Sequence, residues 1–179
     1  ALLRDVRPMA MAVLPGILDK FYRTIAKFPD VQRMFPRPEI VAHATAAQLA
    51  HWDMILSARF DADYVRSVTR IGETHHRLGL EPRWYIGGYK QIIGGLIAAI
   101  ETGITARLAG KSLFERKAAI IDAVVGAAML DMDFATSVYL DAGKREKREV
   151  LERLAGQFEQ TIAQIVARVG TTTEKLNAA

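Results

Sequence analysis

The residue that most invites chemistry is His75, because of the company its spacing gives it. Tyr64, Val68, Ile71, His75 and Leu78 recur at intervals of three and four, while Arg66, Thr69, Glu73 and His76 fall on another side of the same helix. His75 is therefore expected to point inward and His76 outward. A neutral imidazole on an apolar face is a competent ligand for iron when a flat hydrophobic cofactor covers it, provided that neighbours accept its second N–H and fix the tautomer. On spacing alone, a core histidine with both nitrogens satisfied accounts for the pattern more simply.

Other residues bear on the choice. Tyr22 borders an earlier apolar stripe of Leu14, Leu18, Phe21, Ile25 and Phe28, so its buried ring would leave a hydroxyl in need of a partner, which a bound ligand can supply. A following helix presents Ala42, Ala44, Ala46 and Ala47, which leave room beside the backbone either for a non-protein group or for close helix packing. Thr45 and Gln48 add polar groups that reach a bound ligand or serve ordinary capping and surface roles. The chain has no cysteine, so disulfides, thiol catalysis, zinc–cysteine sites and iron–sulfur clusters are excluded, and metal chemistry falls to the four histidines or to carboxylates.

Helices have to position these groups. Apolar spacing of three and four dominates, and no segment alternates in the manner of a half-buried strand, so the fold class is all-α. The first helix is expected from about Asp5 to Lys27, bent near Pro15-Gly16. A proline-rich loop from Phe28 to Pro38 should hold at most one helical turn. Further helices are predicted at about Glu39–Ala58, at Asp61–Leu78 with Gly79 as left-handed cap, from Pro82 to near Arg107, and from near Ser112 onward. The last carries Ile120, Val124, Ala127, Leu130, Phe134, Val138 and Tyr139 before a charged run, Lys144 to Glu149. Leu151, Leu154, Phe158, Ile162, Ile165, Val169 and Leu176 then trace a narrow seam suited to a partner helix.

Composition sets outer bounds. A chain of 179 residues, half of them apolar and a quarter charged, suffices for one well-buried domain plus a protruding element. The net charge of +4 is scattered over Arg4, Arg7, Arg33, Arg59, Arg66, Arg70 and later bases, which fits a solvated surface and argues against nucleic-acid binding. No apolar run approaches the roughly 20 residues of a membrane span, and no signal peptide opens the chain, so a cytoplasmic location is expected.

The segment Ile71-Gly-Glu-Thr-His-His-Arg-Leu-Gly-Leu-Glu-Pro-Arg-Trp-Tyr-Ile-Gly-Gly-Tyr89 resembles the proximal-histidine signature of globin domains from globin-coupled sensors of the heme-based aerotaxis transducer type, relatives of the protoglobins. Asp19-Lys-Phe-Tyr22, His51-Trp52, Leu130-Asp-Met-Asp-Phe and Tyr139-Leu-Asp141 extend the likeness from about Val13 to Asp141. It implies a globin fold with a C-terminal helical extension. It also implies heme b with His75 as iron ligand, and a cofactor-binding set of His75, Tyr22, Tyr85, Trp84, Ile71, Leu80, Ala44, Ala47 and Gln48, with no catalytic residue. Tyr85 matches a proximal tyrosine, and Tyr22 one that can hydrogen-bond a heme-bound ligand. Ala44 and Ala47 stand where some members carry leucine and threonine, so stabilisation of oxygen would rest mainly on Tyr22, with Thr45, Gln48 or His43 assisting.

The tail from about Val150, notably Leu154-Ala-Gly-Gln-Phe-Glu159, resembles the coiled-coil connector that precedes a methyl-accepting signalling domain. The resemblance thus implies a globin sensor domain at 1–145 and a connector at 146–179 toward an output domain absent from this chain. The partners would be oxygen or another diatomic gas and a second copy, joined through the last two helices. The function expected is gas sensing and signal transduction in chemotaxis, without enzymatic turnover. The alternatives are an oxygen-carrying or nitric-oxide-detoxifying globin and a heme-free helical sensor or dimerisation module.

Overall fold

The computed structural model describes residues 1–104 and 112–177, with side chains to 170. It holds helices α1 (Leu2–Ile25), α2 (Pro29–Gln32), α3 (Pro38–Leu56), α4 (Ala62–Leu78), α5 (Pro82–Gly103) and α6 (Leu113–Asn177). No strand occurs among the described residues, and the fold class is all-α. Two compact units divide the chain, Ala1–Tyr139 and 140–179.

Local chemistry explains the boundaries. Proline opens α2, α3 and α5, where a missing N–H costs nothing. Asp61 caps α4 by accepting the backbone N–H groups of Asp63 and Tyr64, and Gly79 ends it in the left-handed region at φ 68°. Ser112 and Glu115 form a reciprocal capping box at the start of α6, the serine hydroxyl accepting the Glu115 N–H and the Glu115 carboxylate accepting that of Ser112. Helix α1 continues through Pro8 and Pro15, although an interior proline costs about 3 kcal/mol. Leu14 and Leu18, flanking Pro15, are both fully buried, each worth roughly 1.5–3 kcal/mol. The end expected near Arg107 lies outside the described residues.

The core of the first unit gathers Leu14 and Leu18 from α1, Ile55 and Leu56 from α3, Val68 from α4, Leu96 and Ile100 from α5, and Ile120 and Val124 from α6. Arg7 fastens α1 to α3 through two hydrogen bonds to the Asp53 carboxylate, at 2.7 and 2.8 Å. Glycines set the closest approaches. A Cβ on Gly72 would lie 2.7 Å from Val138 Cβ and 2.8 Å from the Ala135 carbonyl oxygen, so α4 and α6 meet backbone to backbone.

Four expectations are corrected. Phe28 is exposed, because α1 stops at Ile25 and the ring leaves the stripe to lie 5.3 Å from Trp84. Leu78, in the last turn of α4, is exposed too. His76 does not face solvent freely: its ring packs edge-on against Tyr139 at 5.2 Å. Leu130 is exposed, while its neighbour Asp131 is buried completely. In the second unit, Lys144 pairs with Asp141 at 2.9 Å, and Leu151, Leu154, Phe158, Ile162 and Ile165 are exposed along the helix. The side chain of Leu176 lies outside the described residues.

Gly72→Ala is expected to destabilise the chain by about 1–3 kcal/mol through overpacking, whereas Gly126→Ala, with open space around it, should be neutral or gain up to about 1 kcal/mol. Urea unfolding followed by circular dichroism distinguishes the two; equal midpoints would show that the α4–α6 approach is not tight.

Candidate functional site

The last turn of α4 and the start of α5 build one half of the site. The His75 ring stacks on Tyr85, with centroids 5.0 Å apart and planes 21° from parallel. Its Nδ1 is buried and has no hydrogen-bond partner. Burial also pushes the imidazole down to about 4, so it is neutral near pH 7. Ile71, one turn earlier, and Leu80, just past the Gly79 cap, are half-buried beside this region of the chain. Tyr85 is buried, its hydroxyl donating to Thr136 Oγ1 over a long 3.4 Å, and burial raises its pKa. Trp84 is half-buried against Phe28.

The other half comes from α1 and α3. Tyr22 is buried between Phe21 and Phe35, whose rings meet it edge-on at 5.0 and 5.5 Å. Its hydroxyl donates to Gln48 Oε1 at 3.1 Å. Burial pushes the phenol well above its ordinary value, an effect that the neighbouring Thr45 hydroxyl partly offsets. Thr45 spends its own proton on the Val41 carbonyl at 2.8 Å. Ala44 is half-buried and Ala47 exposed, so this stretch of α3 puts little side-chain bulk near the tyrosine. His43 is exposed. The halves belong to one neighbourhood: a Cβ on Gly88, three residues after Tyr85, would lie 3.0 Å from the ring of Phe21, next to Tyr22.

A third feature is a pairing between residues distant in sequence. Asp131 of α6, fully buried, faces His51 Nε2 with both carboxylate oxygens, at 2.9 and 3.0 Å. His51 Nδ1 meets Ser67 Oγ of α4 at 2.9 Å, and the Tyr89 hydroxyl of α5 donates to Asp131 Oδ2. A nitrogen that faces two carboxylate oxygens carries the proton, so Nε2–H donates. Burial and then the Asp131 charge raise the pKa values of Tyr89 and Tyr64. Removing either partner of such a buried pair costs several kcal/mol, about 3–5, because the other is left uncompensated. The available signal was Asp131 itself, which continues the inward spacing of Val124, Ala127 and Ala128.

The Protoglobin family profile matches residues 1–145. The chain belongs to the protoglobin family. It is 22% identical, along its whole length, to the heme-based aerotactic transducer HemAT of Halobacterium salinarum, and it spans 39% of that protein. Among solved structures, the globin domain of the Geobacter sulfurreducens globin-coupled sensor superposes with a TM-score of 0.66 at 16% identity, over 77% of this chain and 86% of that one. This protoglobin therefore shares the fold of that globin domain.

The residues of this protoglobin chain fit the heme that its family implies. Among the described residues, no group of three or more histidines and carboxylates is arranged to hold a bare metal ion. A lone neutral imidazole suits an iron whose other ligands come from a macrocycle, and the unpartnered Nδ1 of His75 marks a polar group whose surroundings are incomplete. The surface clefts elsewhere, one lined by Arg4, Arg7, Asp53 and Arg59 and the other by Glu101, Phe114 and Lys117, contain none of these groups.

Within the half built by α1 and α3, Gln48→Leu strips Tyr22 of its acceptor and should destabilise the heme-free chain by about 1–3 kcal/mol. Added to Tyr22→Phe, the same change should cost much less, giving a coupling of about 1 kcal/mol in a double-mutant cycle of urea denaturation. Additive effects would show that the hydroxyl does not rest on Gln48.

Proposed function

We propose that residues 1–145 form a heme-binding globin sensor for a diatomic gas, oxygen foremost, and that residues 146–179 connect it to an output domain beyond this chain. The observation that carries this reading is the half-buried, neutral His75, stacked on Tyr85 with its buried Nδ1 unpartnered, in a chain of the protoglobin family. The name of the Halobacterium salinarum relative, a heme-based aerotactic transducer, supports sensing and a chemotaxis output.

When bound, heme b supplies a ferrous iron able to take up a diatomic gas. The chain's own residues do the rest. His75 offers a nitrogen lone pair that burial keeps from being protonated, and the Tyr85 ring holds its plane. Ile71, Leu80 and Trp84 provide apolar contacts that exclude water. On the distal side, Ala44 and Ala47 leave space and Tyr22 holds the hydroxyl proton that can be given to a bound ligand. Gln48 is its present acceptor, so it sets how readily that proton is released, and Thr45, whose hydroxyl bonds the Val41 carbonyl, stands beside it.

For signalling, a second copy would cover the apolar stripe of α6, including Leu151, Leu154, Phe158, Ile162 and Ile165, in a homodimer through the last two helices. Gas binding would then bias one dimer packing over another. A complete swing from 1:99 to 99:1 needs about 5.5 kcal/mol of differential affinity, and less gives a graded response.

Stopped-flow measurement of oxygen release tests the assignment of Tyr22. Tyr22→Phe should speed release by roughly 10–100-fold, the equivalent of one hydrogen bond of about 1.4–3 kcal/mol to a partly charged acceptor, while carbon monoxide release changes little. Unchanged oxygen release in the variant would remove Tyr22 from the role.

A further inference from the structure

The buried His51–Asp131 pair is placed where a structural crosslink alone has no need to be. Both of Asp131's donors sit one helical turn from a group of the candidate site. His51 follows Gln48, the acceptor of the Tyr22 hydroxyl, by three residues on α3, and Tyr89 follows Tyr85, the ring stacked on His75, by four on α5. At about 1.5 Å of rise per residue these separations are roughly 4.5 and 6 Å. Ser67 adds α4, the helix of His75, through His51 Nδ1. Three helices are thus tied to one carboxylate of α6, α3 and α5 directly and α4 through His51.

The chemistry of that junction makes it stiff. Asp131 is fully buried, so it cannot exchange a lost protein donor for water, and hydrogen bonds weaken steeply as their geometry degrades. Apolar contacts elsewhere in the core tolerate small sliding. A shift of α3 or α5 would therefore strain these bonds and bear on α6 at Asp131.

We propose that His51 and Asp131 are positioning residues that fasten the gas-facing helices to α6, so that a ligand beside Tyr22 and Gln48 changes the state of α6. The proposal rests on the heme-binding reading above. The test uses the full chain loaded with heme, in its ferrous form, with carbon monoxide as probe. Amide hydrogen exchange is followed in peptides covering residues 120–139, with and without the gas. Asp131→Asn preserves volume and one acceptor; Tyr89→Phe removes a single hydroxyl and keeps the ring, and it decides the matter if the first variant does not fold.

In the native chain, carbon monoxide should change exchange in this part of α6 by about threefold or more, and in Asp131→Asn that difference should largely vanish, with Tyr89→Phe in between. Both variants should still show the heme absorption band and saturate with the gas. If the variants exchange faster with and without gas yet keep the full gas-dependent difference, the pair serves stability only and the proposal is overturned. A native chain with no gas-dependent difference in α6 overturns it as well. Failure to take up heme would refute the underlying functional reading, and the absorption spectrum would show it before any exchange was measured.

Discussion

A polar atom that a helical domain takes out of water must be answered by a partner, and in this chain that constraint organises the molecule. The backbone answers itself within helices, with caps at Asp61 and Ser112 completing the ends. Side chains are the harder case. Asp131 is answered by His51 and Tyr89, and Tyr22 by Gln48. His75 Nδ1 has no such answer, and neither have Tyr64 Oη and Arg116 Nε. The first two cases tie helices together.

The separation of these roles follows from where each helix runs. Helix α3 serves both, with Gln48 toward Tyr22 and His51 toward Asp131, one turn apart. Helix α5 does the same with Tyr85 and Tyr89. Close packing keeps these registers fixed: Gly72 lets α4 approach α6, and Gly95 lets α5 approach Ile17 of α1, each to a distance that a Cβ would violate. Small residues at such crossings are therefore part of how the site is held.

Much of this was legible in the sequence. The all-α class, the Asp61 and Gly79 boundaries of α4, the short helical turn after Phe28 and the inward face of Tyr64 and Val68 follow from spacing and cap chemistry. Tyr22, Thr45 and Gln48 were recognisable as candidates, and the structure brings them together. The failures have a common cause. Hydrophobicity alone ranks Leu130 as the buried residue, yet Asp131, a carboxylate with a histidine and a tyrosine to satisfy it, takes the inward position. Periodicity sees single residues, whereas His51 and Asp131 are 80 residues apart and only the fold joins them. Phe28 and Leu78 failed differently, because each sits at a helix end where the stripe no longer meets the core.

The central claim is that His75 gives its imidazole to the heme iron. Resonance Raman spectroscopy of the ferrous, gas-free protein observes the iron–imidazole stretch directly. The band should be present in the native chain, absent in His75→Gly, and restored when free imidazole is added to that variant. A His75→Gly chain that keeps the same band without added imidazole would assign the ligand to His43, His51 or His76 and contradict the account.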